Sequence, residues 1–199
     1  MTLRQRKTRE LAADRELLRV IQDAWEEAGR LAGSHLACRP GCTACCHGPF
    51  PISALDARRL RRGLAELVRT APERAAGVIE RARAQARLFM GKDVKDLQDE
   101  DLAEICERFG EMPCPVLEVS TGRCELYDHR PLTCRTFGPP TRFGEERLAP
   151  CDLCFVGASE AEIEAARIEP DPEDLEGRIL AGLPERDRET LIAFALGKD

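Results

Sequence analysis

Cys38-Arg-Pro-Gly-Cys42-Thr-Ala-Cys45-Cys46-His47 places four thiols within nine residues. A disulfide needs Cα atoms about 4.4–6.8 Å apart, Cβ vectors aimed at one another and an oxidising compartment. Four thiols on one short loop can instead all turn toward a soft metal ion or an iron–sulfur cluster. Pro40-Gly41 supplies a turn between Cys38 and Cys42, and Cys42-x2-Cys45 has the spacing common to zinc knuckles and iron–sulfur loops. Adjacent side chains diverge, so Cys45 and Cys46 are expected to serve two metals, or one binds while the other faces elsewhere. A loop of this kind has no regular structure of its own, so the rest of the chain must be its scaffold.

The chain holds ten cysteines. Cys106, in Glu-Ile-Cys-Glu-Arg-Phe, has a helical context and reads as a small buried apolar side chain. The remaining candidates are Cys38, Cys42, Cys45 and Cys46; then Cys114, Cys124 and Cys134; then Cys151 and Cys154. They exceed the four thiolates of one structural zinc or one simple cluster, which argues for a multinuclear site or for two sites. Zinc can be built from Cys42-x2-Cys45 with Cys151-x2-Cys154, although zinc ribbons keep such pairs closer in sequence. Iron–sulfur ligation tolerates distant ligands and is slightly favoured over zinc or iron ions. Cys38-x3-Cys42-x2-Cys45 also matches the cluster triplet of radical S-adenosylmethionine enzymes. The repeated βα units and glycine-rich cofactor loop of those enzymes are not legible here.

Four other residues are candidates for supporting the site. Arg130 and Arg135 flank Cys134; they would lower thiolate pKa, offset thiolate charge, or bind a carboxylate or phosphate. Structural ion pairing is the preferred reading of both. Tyr127, the single tyrosine, either hydrogen-bonds a ligand sulfur or packs in a hairpin. His47 is a candidate nitrogen ligand, hydrogen-bond donor to a ligand or proton carrier, ahead of His129 and His35. No Ser/His/Asp set, phosphate-binding loop or catalytic carboxylate pair is visible.

The 199 residues suit one metal-binding domain, 1–199. Its cysteine-rich core would be 34–53 and 112–157, with an Arg-rich helical pair at 54–90 and C-terminal helices at 158–199. Aromatic residues make up only 5%, so a core of Leu, Ala and Ile suits helices. Leu17, Leu18, Ile21, Trp25 and Ala28 form one helical stripe, ended at Gly33-Ser34. Ser53 with Asp56 opens a second helix with stripe Leu60, Leu64, Leu67 and Val68. Pro72 opens a third, carrying Ala75, Ala76, Ile79, Ala82, Ala86 and Phe89 inward. The acidic run Asp93 to Asp101 leads to a short helix ending near Phe109. Hairpins are expected around Ser120–Arg123 and Phe143–Glu146, and Ser159 with Glu162 caps a further helix. The fold class is therefore mainly α: a helical scaffold with irregular cysteine-rich loops and one or two short β-hairpins.

Net charge is −6, which does not indicate general nucleic-acid binding. Between Ala54 and Met90, nine arginines face four acids, a local charge of about +5. That run reads as a solvated helical face, with a phosphate- or acid-recognition patch and a protein-docking surface as the alternatives. No export signal or membrane span is legible, so a reducing cytoplasm is the expected compartment.

The motifs also resemble a known family. Cys38-x3-Cys42-x2-Cys45-Cys46, Cys114-Pro-Val-Leu and Gly122-Arg-Cys124-x2-Tyr127-x2-Arg130-Pro131-x2-Cys134-Arg135 are similar to the YkgJ-like cysteine-cluster proteins. The likeness spans roughly Cys38 to Cys154, with a three-residue first spacing where the family pattern has two. It implies a zinc- or iron-chelating domain, in which the Arg-rich helical pair looks like a variable part. Some relatives with similar cysteines are flagellin lysine methylases, an activity that needs a methyl-donor site for which no glycine-rich candidate is found. The sequence reading is thus a metal-binding protein, with a metal-dependent redox or protein-modifying enzyme as the alternative.

Overall fold

The computed structural model describes residues 2–89, 99–184 and 188–197. In chain order the helices are α1 Leu3–Ala32, α2 Ala54–Thr70, α3 Pro72–Phe89, α4 Asp99–Arg108, α5 Leu132–Thr136, α6 Glu160–Ala165, α7 Leu175–Leu180 and α8 Ile192–Leu196. Two antiparallel hairpins complete it: β1 Leu117–Glu118 with β2 Arg123–Cys124, and β3 Thr141–Phe143 with β4 Glu146–Leu148. The fold is mainly α, as the composition and periodicity predict. Residues 93–98 of the acidic run lie outside the described residues. No helix among the described residues is long and apolar enough to cross a membrane.

The chain divides into two compact units: 1–39 with 132–186, and 40–131 with 187–199. In the first, Thr2 caps α1, accepting from the Gln5 amide while the Gln5 side chain accepts from the Thr2 amide. Gly33 ends α1 at φ +53°, a conformation glycine adopts without penalty. Leu17, Ile21 and Ala28 are buried as the stripe requires, whereas Leu18 and Trp25 are only half-buried. α1 packs on α5, α6 and α7. Ser159 and Glu162 form the expected capping box on α6. Arg167 Nη1 donates to the Thr141 and Leu148 carbonyls, clasping both strands of the β3–β4 hairpin.

The second unit is built on α2, α3 and α8, which pack on one another around Leu60, Val78, Ala82, Ile192 and Leu196. Ser53 caps α2 by accepting from the Asp56 amide at 3.2 Å. The sequence misplaces three positions. Val68 is exposed, and Ala76 points outward while Val78 is buried. The inward series of α3 runs Ala75, Val78, Ala82, Phe89, at helical spacing. Leu102 and Ile105 of α4 join Phe89, Leu191 and Phe194 in a second cluster, and Cys106 packs against it as an apolar side chain.

Candidate metal centres

The division between the units falls between Arg39 and Pro40, so it separates Cys38 from Cys42, Cys45 and Cys46. In the second unit, Ala44–Cys46 makes one tight turn, closed by the Cys46 amide donating to the Thr43 carbonyl at 2.8 Å. The strand-like stretch after it pairs with 112–114. The Cys114 amide donates to the Cys46 carbonyl and the Gly48 amide to the Met112 carbonyl, both at 2.8 Å. Cys124 enters through the β1–β2 hairpin, where it stands opposite Leu117. Gly122, at φ +65° in the hairpin turn, lies close against Gly41 and Thr43, on either side of Cys42.

These backbone contacts bring Cys45, Cys46, Cys114 and Cys124 into one electrostatic neighbourhood. A hydrogen bond with Cys46, followed by burial, drives the Cys45 thiol far above its ordinary range. Burial pushes Cys114 up to about 12 and raises Cys124, and each also feels Cys45. Arg130 opposes the rise at both Cys45 and Cys124. Thiols this crowded resist ionising together unless a cation shares the site.

Helix α3 holds the segments that carry two of these thiols. Arg81 Nε donates to the Pro115 carbonyl at 2.9 Å and Gln85 Nε2 to the Pro113 carbonyl at 2.7 Å, one on each side of Cys114. Arg74 Nε donates to Glu125, the neighbour of Cys124, at 2.8 Å. Arg61 donates to the Ala195 carbonyl, and Arg59 is buried in an ion pair with Asp56. The reading of this arginine run as a solvated face is therefore corrected at Arg59, which is buried, and at the half-buried Arg81. Arg61 and Arg74 stay exposed while they anchor the Ala195 carbonyl and Glu125. The partners of Arg61, Arg74 and Arg81 lie 134, 51 and 34 residues away, beyond the reach of sequence periodicity.

The supporting residues divide. The Arg130 guanidinium stacks 3.9 Å from the Tyr127 ring centroid and donates to the Tyr127 carbonyl. Tyr127 is 59% exposed, so it does not pack inside the hairpin. His47 Nδ1 lies 3.0 Å from the Thr43 carbonyl. A carbonyl only accepts, so Nδ1 is the donor in this contact, and Nε2 is the ring nitrogen left to act as a ligand. His129 rests against Gly63 of α2, where an added Cβ would stand 2.6 Å from its ring. Arg135 falls in the first unit, apart from Arg130 in the fold's division.

The first unit carries Cys38, Cys134, Cys151 and Cys154. Cys38 Sγ and Cys154 Sγ are 4.0 Å apart. The Cys154 amide donates to the Cys151 carbonyl at 2.7 Å, closing the knuckle Cys151-x2-Cys154. The Cys151 amide donates to the Gly138 carbonyl at 3.0 Å. Gly138, four residues after Cys134, has φ +121°, and a Cβ there would stand 2.7 Å from Cys38 Sγ. Only glycine fits between this sulfur and this backbone, a constraint that the sequence Phe137-Gly138-Pro139 hints at through its turn composition alone.

Among the described residues, no three His, Cys, Asp or Glu side chains already stand at positions that would hold one ion. The donor chemistry nevertheless fits a soft metal or a sulfide cluster, since each unit carries its own set of thiols. Cys38 lies near Cys154 in the first, and backbone hydrogen bonds join the Cys46 and Cys114 segments in the second. The final closure would accompany binding, as is common where ligand loops order on their metal. Neither the curated proteins nor the solved structures contain a match to this chain. A family model does match residues 37–154, more than half of the chain and every candidate thiol from Cys38 to Cys154. The chain therefore belongs to the CxxCxxCC family, described as a "putative zinc- or iron-chelating domain".

Proposed function

We propose that the protein binds an iron–sulfur cluster through thiolates of its second unit, drawn from Cys42, Cys45, Cys46, Cys114 and Cys124. The observation that carries this reading is the backbone pairing that draws the Cys45–Cys46 turn to Cys114, the Cys114 amide donating to the Cys46 carbonyl at 2.8 Å. Cys124 stands on the β1–β2 hairpin, whose turn lies against Gly41 and Thr43, so these residues are spread over about 80 positions of sequence. Iron–sulfur ligation accommodates such distant ligands, and five thiols are one more than a single tetrahedral ion accepts. A cluster, when bound, supplies an electron-transfer or sulfur-ligated iron site. Around it, Arg81 and Gln85 would fix the backbone of Cys114, and Arg130, stacked on Tyr127, would offset thiolate charge. His47 Nε2 offers a further nitrogen ligand or proton acceptor.

Anaerobic purification followed by iron and acid-labile sulfide analysis, beside the visible spectrum, tests the reading. It predicts coloured protein with iron and sulfide in matching amounts, both lost in Cys114→Ser/Cys124→Ser. Colourless protein with zinc alone in the second unit contradicts the cluster while keeping metal binding.

A further inference from the structure

We infer that the first unit holds a second, separate metal site: one zinc ion bound by Cys38, Cys134, Cys151 and Cys154. The inference rests on the reading that the clustered thiols of this chain bind metal, and adds a second site with its own ligands.

Three observations lead to it. The first unit has four thiols apart from those of the second, which is the complement of a closed structural zinc site. The Cys38–Cys154 sulfur separation is 4.0 Å. Zn–S bonds near 2.3 Å place the sulfurs of a tetrahedral four-thiolate site about 3.8 Å apart. A cluster holds its cysteine sulfurs farther apart, because its irons and sulfides stand between them. The pair is thus spaced for one ion.

The backbone is arranged for the same purpose. The Cys151-x2-Cys154 knuckle is closed by its own hydrogen bond, and a second bond ties Cys151 to Gly138. Gly138 in turn leaves room for the Cys38 sulfur. The candidate thiols are part of the local packing: Cys154 is buried with Ala32, Phe155 and Ala166, and Cys38 and Cys151 pack against that cluster beside Leu36 and Ile163. Binding is balanced by release of protons, four thiols becoming four thiolates as one Zn2+ enters, with no oxidant or reductant required.

The test uses the full chain, purified without oxygen and analysed for zinc, iron and sulfide. One zinc per chain is expected in the wild type. Cys151→Ser/Cys154→Ser should lose it while keeping the iron, sulfide and visible absorption of the second unit. Cys114→Ser/Cys124→Ser should do the reverse. If the second unit binds zinc instead of a cluster, the wild type holds two zinc ions and each double variant loses one; the cluster reading then fails and the second site stands. Loss of all metal from either double variant would show one shared centre and overturn the inference, as would unchanged zinc in Cys151→Ser/Cys154→Ser. Iron and sulfide without zinc in the wild type would defeat the inference alone, whereas metal-free wild type would defeat both readings.

Zinc-edge X-ray absorption of the wild type needs no variant to fold. With one zinc per chain, four sulfurs at about 2.3 Å are expected, and any nitrogen or oxygen ligand overturns the assignment. Gly138→Ala should cut zinc retention at least tenfold and leave iron unchanged.

Discussion

The two units solve the problem of stability differently. The second surrounds its cysteine segments with helices: α2, α3 and α8 bury Leu60, Val78 and Ala82 completely, and α3 reaches out with Arg74, Arg81 and Gln85 to hold the chain beside Cys114 and Cys124. The first packs α5, α6 and α7 on α1 with Leu17 and Ile21 buried, while the cluster beside its cysteines has only Ala32, Cys154, Phe155 and Ala166 buried. Buried apolar area scales with stabilisation at roughly 25 cal/mol per Å2, so the segment with fewer apolar side chains depends more on its ligands. On this account metal would be an accessory to folding around α2 and α3 and a larger part of the order of 138–157.

Removing metal should expose that contrast most strongly. Structural thiolate zinc contributes on the order of 10 kcal/mol to the folding of small metal-dependent domains. Chelation in reducing buffer, followed by amide hydrogen exchange, should therefore release residues 138–157 and the Cys114 loop while α2, α3 and α8 stay protected. Uniform protection after complete metal loss would erase the distinction between the regions.

A core substitution should act in the opposite sense. Leu60, fully buried, should lose about 3 kcal/mol of stability on replacement by alanine. Calorimetry should show the lower melting temperature, with metal per chain unchanged. Loss of metal in Leu60→Ala would mean that the helical platform and the ligands fold as one.

Gly63→Ala sharpens the point at a single contact. In an exposed helix, Gly to Ala gains up to about 1 kcal/mol. Here the new methyl would collide with the His129 ring, so the change should cost about 1–3 kcal/mol. Combining it with His129→Ala should recover part of that loss in denaturant titration; equal losses in the single and double variants would remove the explanation.

The smallest effects lie at the edge of each unit. Ser159→Ala removes the α6 cap and should cost about 1 kcal/mol. Cys106→Ser should leave the metal inventory unaltered, since Cys106 packs with Phe89 and Leu102 on α4.

The helices and hairpins were legible because their signals are local. Ser53, Ser159 and Pro72 open helices where capping chemistry predicts, and Phe143–Glu146 turns between two strands. The density of the cysteines marks them as candidate ligands in the sequence alone. Their partition was not legible, because nothing local distinguishes Cys38 from Cys42, four residues on. That separation depends on Cys38 meeting Cys154 and on Cys46 pairing with Cys114, both long-range contacts. The arginines were misread for the same reason: Arg81 looks solvent-facing until the Pro115 carbonyl is placed beside it. At α3 the buried series Ala75, Val78, Ala82 and Phe89 follows helical spacing, so Val78 rather than Ala76 faces inward.

The most direct test of the central claim, that the clustered thiols of this chain hold metal, is native mass spectrometry of the anaerobically purified full-length protein, compared with its mass after acid denaturation. The account predicts a native mass exceeding the denatured one by an iron–sulfur cluster together with one zinc ion. Folded protein whose native and denatured masses coincide would contradict it.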